Sequence, residues 1–311
     1  VTPTDGCFYN SEKKSYDVGP PSSDASAAML DELKPSVLAL STGGFQSGSA
    51  VVLDKQDHAA TDMHVALIGR KLQVRTPSGQ MLDAHIEKLD VVKDLAILKV
   101  PGLSASGAQP AKLDLNGNNS VDMKAFTVGA PLAAEGRPMC VSEGTIQAVK
   151  SDRDSLTATP DSLESGWNFY DFFMDVHFGK NVEQFVRQNR AALIGRSADW
   201  FNMPRVESNA VATNGISGGA IATENGVKGI VQMGSPKVGS RSAPIKEFVD
   251  LAANPSRFNF QYDQTTQLLK SVLPADSSNN ADAAEAQLAN IILERNQKII
   301  EEAMAKDSKA R

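Results

Sequence analysis

The chain has 311 residues, 41% of them hydrophobic, with 31 basic against 37 acidic side chains and a formal net charge of -6. That length and apolar content exclude wholesale disorder and allow one two-barrel unit with appendages. The charge balance gives no support for a nucleic-acid partner, which needs clustered basic residues, and no apolar stretch approaches the length that spans a bilayer.

In chain order, residues 1–30 are polar and rich in Ser, Asp, Gly and Pro, and include Gly19-Pro20-Pro21-Ser22-Ser23. They are expected to form a flexible lead segment. From residue 37 to about 115, short apolar runs separated by turn residues predict β-strands, for example over 37–40, 72–75 and 95–98. The Gly/Asn-rich link Leu115-Asn116-Gly117-Asn118-Asn119 precedes a second strand set that includes 125–128, 145–149 and 228–231. Many short strands without alternating helices imply an all-β barrel or sandwich core.

Residues about 152–204 interrupt the second set. Trp167, Phe169, Tyr170, Phe172, Phe173, Phe178, Phe185, Trp200 and Phe201 crowd into that stretch. Val182, Phe185, Val186, Asn189 and Leu193 have near-helical spacing and predict a helix around 180–195. The insert reads as a satellite core packed on the barrel or as a lid beside a cleft. After residue 250, the linker Asp276-Ser277-Ser278-Asn279-Asn280 leads into a helix-forming run from about 281 to 306. Leu288, Ile292, Arg295 and Ile299 mark its apolar stripe, which is expected to pack on the protein's own body. The chain is thus divided into 1–30, a barrel unit over 31–250, and a helical extension over 251–311.

The chemistry centres on Ser217 in Asn214-Gly215-Ile216-Ser217-Gly218-Gly219-Ala220. A serine hydroxyl becomes a nucleophile when a base takes its proton and backbone N–H groups await the oxyanion. Of the four histidines, His64 follows the strand-like run 49–53, whereas His58, His85 and His177 read as surface or packing residues. Asp94 stands directly before the apolar run 95–98. A carboxylate there can fix the tautomer of an imidazole and stabilise the imidazolium.

The order His64, Asp94, Ser217 resembles that of the chymotrypsin-like serine proteases, specifically the HtrA/Deg branch. Thr61-Asp62-Met63-His64-Val65 is similar to that family's histidine turn, and Lys93-Asp94-Leu95-Ala96-Ile97-Leu98-Lys99 to its aspartate block. Thr127-Val128-Gly129-Ala130-Pro131, Ser142-Glu143-Gly144-Thr145-Ile146 and Gly229-Ile230-Val231-Gln232-Met233-Gly234 resemble later blocks, so the likeness covers roughly 35–250. It implies a double β-barrel and a serine endopeptidase acting through a His64–Asp94–Ser217 triad. The N–H groups of Gly215 and Ser217 would form the oxyanion hole. Val211 would floor the P1 pocket, with Ser240 and Arg241 on its wall, and Val231, Gln232, Met233 and Gly234 would hold the substrate backbone.

The substrate would be a peptide or unfolded protein, and an apolar Val211 favours small or medium apolar P1 residues. No metal or organic cofactor is implied. No PDZ module is expected, because the remaining residues are mostly helical in pattern. Either the insert or the terminal helix could join copies of the chain. A periplasmic or secreted bacterial location is expected, and a chain beginning at Val1 fits removal of a signal peptide or a trimmed start. The alternative is a binding or scaffold protein on a protease fold with little or no activity.

Two features stand apart from the resemblance. Ile216 is apolar where relatives carry a polar residue, so the oxyanion loop is expected either to be held by packing rather than a hydrogen bond or to rest in an inactive shape. Cys7 and Cys140 could close one disulfide, but Cys7 lies in a polar lead segment and Val65 replaces a cysteine common in digestive relatives. Two separate thiols are therefore expected.

Overall fold

The lead segment carries structure. In the computed structural model, residues 7–10, 15–18, 20–42, 45–116, 121–131, 139–151, 179–189, 192–193, 202–213, 215–235, 239–254, 259–263, 266, 268–272 and 280–310 are described. Strands β1 (Cys7–Asn10) and β2 (Ser15–Val18) form an antiparallel hairpin. Helix α1 (Asp24–Leu33) starts where the Ser23 hydroxyl accepts the Ser26 N–H at 3.0 Å. Such a cap contributes about 1 kcal/mol. Met29 and Leu33, four apart, bury against the body. Glu143 accepts hydrogen bonds from Ser23, at 2.5 Å, and from Ser26, at 2.8 Å. Residues 1–30 are thus not simply a flexible lead.

The first barrel comprises β3 (Val37–Thr42), β4 (Phe45–Val52), β5 (His58–Thr61), β6 (Leu72–Arg75), β7 (Met81–Asp90) and β8 (Leu95–Lys99), with the one-turn helix α2 (Met63–Ala66) after β5. Its spatial order is β7-β6-β3-β4-β5-β8, closed by pairing of β7 with β8. The second barrel comprises β9 (Lys124–Gly129), β10 (Cys140–Ser151), β11 (Pro204–Ser208), β12 (Ala220–Thr223), β13 (Gly226–Ser235) and β14 (Gly239–Pro244), closed in the order β10-β11-β14-β13-β12-β9. Helix α3 (Lys180–Gln188) falls within the insert between β10 and β11. Helix α4 (Ile245–Ala253), the hairpin β15 (Asn259–Asp263) and β16 (Leu268–Val272), and helix α5 (Asn280–Ala310) complete the chain.

Strand alternation explains how the barrels join. Along β8, Ala96 and Leu98 face the first barrel's core, whereas Leu95 and Ile97 face the layer between the barrels. Burial on both faces is why this strand reads as an unbroken apolar run. From the other side, Phe126, Val128, Val141, Ala220 and Ile230 enter the same layer, and α4 adds Phe248 and Leu251. Each such large side chain contributes roughly 1.5–3 kcal/mol by leaving water.

The aromatic residues of the insert lie outside the described residues, except Phe185 on α3. Val182, Val186 and Leu193 are buried in the first barrel's core together with Leu288 and Ile292 of α5. The apolar face of α5 therefore lies on the chain's own barrel. Its stripe departs from the expected one after Ile292. Arg295 is half-buried and Ile299 is 49% exposed, while Asn296 turns inward and donates to Leu67 O at 3.0 Å. The extension over 251–311 is also not wholly helical, because β15 pairs with β7 at Asn259–Lys88 and enlarges the first sheet.

The expectation of two separate thiols is overturned. Cys140 is disulfide-bonded and no described cysteine is free, and Cys7 on β1 is the one other cysteine in the sequence.

Candidate active site

Three short elements meet at the junction of the barrels. Met63, Val65 and Ala66 of α2 are buried, so the single turn presents His64 on its open side, with 15% of its side chain exposed. Behind the turn, Asn296 holds the carbonyl of Leu67, and the Gln297 side chain accepts the Arg70 N–H at 3.3 Å.

Asp94 ends the turn after β7. Asp90 accepts the Lys93 N–H at 2.9 Å, and Asp94 then adopts φ 60°, a left-handed conformation that Asp tolerates better than most residues. Its carboxylate turns back onto α2. Oδ1 accepts the His64 main-chain N–H at 2.9 Å, and Oδ2 accepts from Nδ1 at 2.8 Å. This fixes the proton on Nδ1 and leaves Nε2 as the basic nitrogen. Burial disfavours the imidazolium, but the charge and hydrogen bond of Asp94, with the charge of Asp62 behind them, outweigh it and push His64 up to about 9.

Ser217 arrives on the glycine turn between residue 213 and β12. Gly215 has φ 94° and Gly218 φ 82°, conformations open to glycine. A Cβ on Gly218 would also stand 1.9 Å from Ser49 O. The Ser49 N–H donates to Ser217 O at 2.8 Å. The Ser49 hydroxyl donates to Gly215 O and accepts from Ala130 N–H, each at 2.8 Å. Ile216 is fully buried in the second barrel's core. The turn is therefore held by packing, as expected, and also by a hydroxyl that the sequence reading missed. Among the described residues, neither the Gly215 N–H nor the Ser217 N–H has a hydrogen-bond partner. Unused buried donors of this kind are rare.

The structure joins His64 and Asp94 directly, and Ser217 through an intermediary. The Ser217 hydroxyl lies 3.5 Å from Gln232 O, a long hydrogen bond. Gln232 in turn donates from Nε2 to Lys93 O and Asp94 O, each at 3.0 Å, and accepts from the buried Arg205 guanidinium. Gln232, read from sequence as a substrate contact, thus braces the aspartate turn from the opposite barrel.

The other substrate-binding candidates divide. Val211 and Val231 are buried, and both main-chain groups of Val231 are bonded to Gly218 and Gly219. Met233 and Gly234 line a cavity of about 390 Å³ with Glu207, Ser208, Ser240 and Arg241. Gly234 also presses on the segment at Ala212, where an added Cβ would meet Ala212 Cβ at 2.3 Å. The two segments are thus in close contact at that point.

Asp62, His64 and Asp94 bring metal-ligand atoms within 4.8 Å of one another. His64 Nδ1 and Asp94 are committed to each other, so this cluster is a hydrogen-bonded couple beside a third carboxyl rather than a ligand set. Sequence reading quoted Asp62 only as part of the histidine turn; its acidity two residues from His64 was the available signal.

Residues 48–227 match the trypsin-like peptidase domain. The chain belongs to that family. Two solved structures are similar to this trypsin-like peptidase. The serine endoprotease from Yersinia pestis is 17% identical, with a TM-score of 0.49 over 75% of this chain and 66% of that one. The chain therefore spans a little under two thirds of that structure. The Rv3671c protease in an inactive form is 16% identical, with a TM-score of 0.49 over 72% of this chain and 90% of that one. No curated protein matches the chain.

Proposed function

We propose that this trypsin-like peptidase is a serine endopeptidase of HtrA/Deg character that cleaves peptide or unfolded protein substrates through an acyl-enzyme. His64 acts first as general base toward Ser217 and then as general acid toward the leaving amine, and Asp94 orients it. The Gly215 and Ser217 N–H groups receive the oxyanion. The observation that carries this reading is the His64 Nδ1–Asp94 Oδ2 hydrogen bond of 2.8 Å beside a glycine turn bearing Ser217. The close Ala212–Gly234 contact and the apolar Val211 favour a small P1 side chain. The disulfide at Cys140 supports an oxidising location, periplasmic or secreted.

A fluorophosphonate probe tests the assignment. It should label the native chain, more strongly as pH rises toward 9, and should not label Ser217→Ala. A native chain that stays unlabelled from pH 6 to 10 would favour the scaffold reading. A conditional form of the enzyme is favoured by the long contact of the Ser217 hydroxyl with Gln232 O. Deleting residues 155–200 should then raise peptide turnover in a folded protein; unchanged turnover counts against gating by the insert.

A further inference from the structure

Asp62 has no role in the chemistry described so far, and its environment is unusual. It is fully buried, and neither carboxyl oxygen has a hydrogen-bond partner. It occupies the N-cap position of α2, yet its side chain makes no capping bond; only its carbonyl serves the helix, accepting the Ala66 N–H at 2.9 Å. The carboxyl is therefore not structural glue. A buried carboxyl without partners is costly when ionised.

Its surroundings come from four elements. His64 lies on the same helix, and Asp94 on the turn before β8, with ligand atoms of all three groups within 4.8 Å. Arg205 approaches from β11, and the Gly218 N–H from the serine turn. Burial, and next the charge of Asp94, push Asp62 well above the usual carboxylate range; His64, the Gly218 N–H and Arg205 pull less strongly the other way.

We propose that Asp62 is a positioning residue for the reaction: a second buried carboxyl that shares one proton with His64 and so sets the pH at which the imidazole can accept the Ser217 proton. The inference rests on the peptidase reading above. Two arrangements of the same net charge compete. With the proton on Asp62, Nε2 of His64 is a free base and the site is ready. With the proton on His64, an imidazolium faces two carboxylates and cannot accept another proton. Exchange moves one proton between oxygen and nitrogen and breaks no other bond. Asp94 alone orients the ring; whenever Asp62 is ionised, its charge holds the proton on the ring.

The test is an NMR titration of the His64 imidazole in the full native chain and in Asp62→Asn, paired with the pH profile of kcat/KM. The amide keeps the shape but cannot ionise, so the His64 midpoint and the acid limb of the profile should both fall by about one pH unit. Turnover at pH 7 should rise about tenfold. Equal midpoints in the two chains overturn the proposal. If the Asn chain does not fold, the native chain decides through the Asp62 carboxyl carbon. Its shift should move over the same pH range as the imidazole, and a midpoint near the ordinary value of about 4 overturns the proposal. The titrations need no turnover, so an unlabelled native chain would remove the peptidase reading while the Asp62–His64 proton is still measured.

Discussion

The first barrel reaches the site through a helical turn whose histidine side chain is itself hydrogen-bonded, whereas the second reaches it through a glycine turn whose backbone is fastened but whose serine side chain makes only a long contact. His64 is held by Asp94 in front and, through Leu67, by Asn296 behind. Asp94 is held by Gln232 at its carbonyl, and the neighbouring Lys93 pairs with Glu247 of α4 at 2.8 Å. Ser217 has the Ser49 clasp and buried Ile216, while its own hydroxyl rests at 3.5 Å from a carbonyl. On the proposed reading, the acid–base couple lies on the preassembled side, and the Ser217 side chain is the part expected to adjust. Substrate binding energy is thus expected to complete the serine side rather than to build the base.

The contrast can be broken by substitution. The largest effect is expected from Asp94→Asn, which removes the anion that fixes the imidazole tautomer; kcat should drop by about 10⁴-fold with little change in KM. Ser49→Ala should come next. It frees Gly215 O and Ala130 N–H, loosens the oxyanion turn and lowers kcat by up to about 10²-fold. An unchanged kcat would show that the packing of Ile216 suffices.

Stability effects sharpen the comparison. Cys140→Ser opens a long covalent loop and should lower the unfolding free energy by about 2–5 kcal/mol in urea melts. Asn296→Leu strands the Leu67 carbonyl and should cost about 1–3 kcal/mol. Because Leu67 caps the His64 turn, the leucine chain should also lose kcat, whereas the Cys140 variant should retain it in the folded state. Equal kcat losses in both would erase the distinction between the two barrels.

Much of the fold was legible because its strands alternate or run apolar. The predicted runs at 37–40, 72–75 and 95–98 fall within β3, β6 and β8, and those at 125–128 and 145–149 within β9 and β10. The two predicted helices fall on α3 and α5. Less legible were α1, hidden in a Ser-rich stretch whose Ser23 is a cap, and the β15–β16 hairpin, whose Asn-Phe-Gln-Tyr-Asp alternation is short and polar. At the site, residue types named the groups at 64, 94 and 217, but not how each is held. Ser49 and Gln232 act through contacts between segments distant in sequence, and no local pattern marks a hydroxyl or an amide for such a task. The bond at Cys140 was misjudged for a related reason: a polar neighbourhood around Cys7 says nothing about what lies across from it.

The buried amide of Asn296 has a consequence for biosynthesis. A ribosome releases residues 58–67 long before it reaches position 296, so the turn bearing the histidine is made early and locked late. A nascent chain stalled before residue 280 should have both barrels' strands in hand yet label poorly with an active-site probe, and release of the tail should restore labelling.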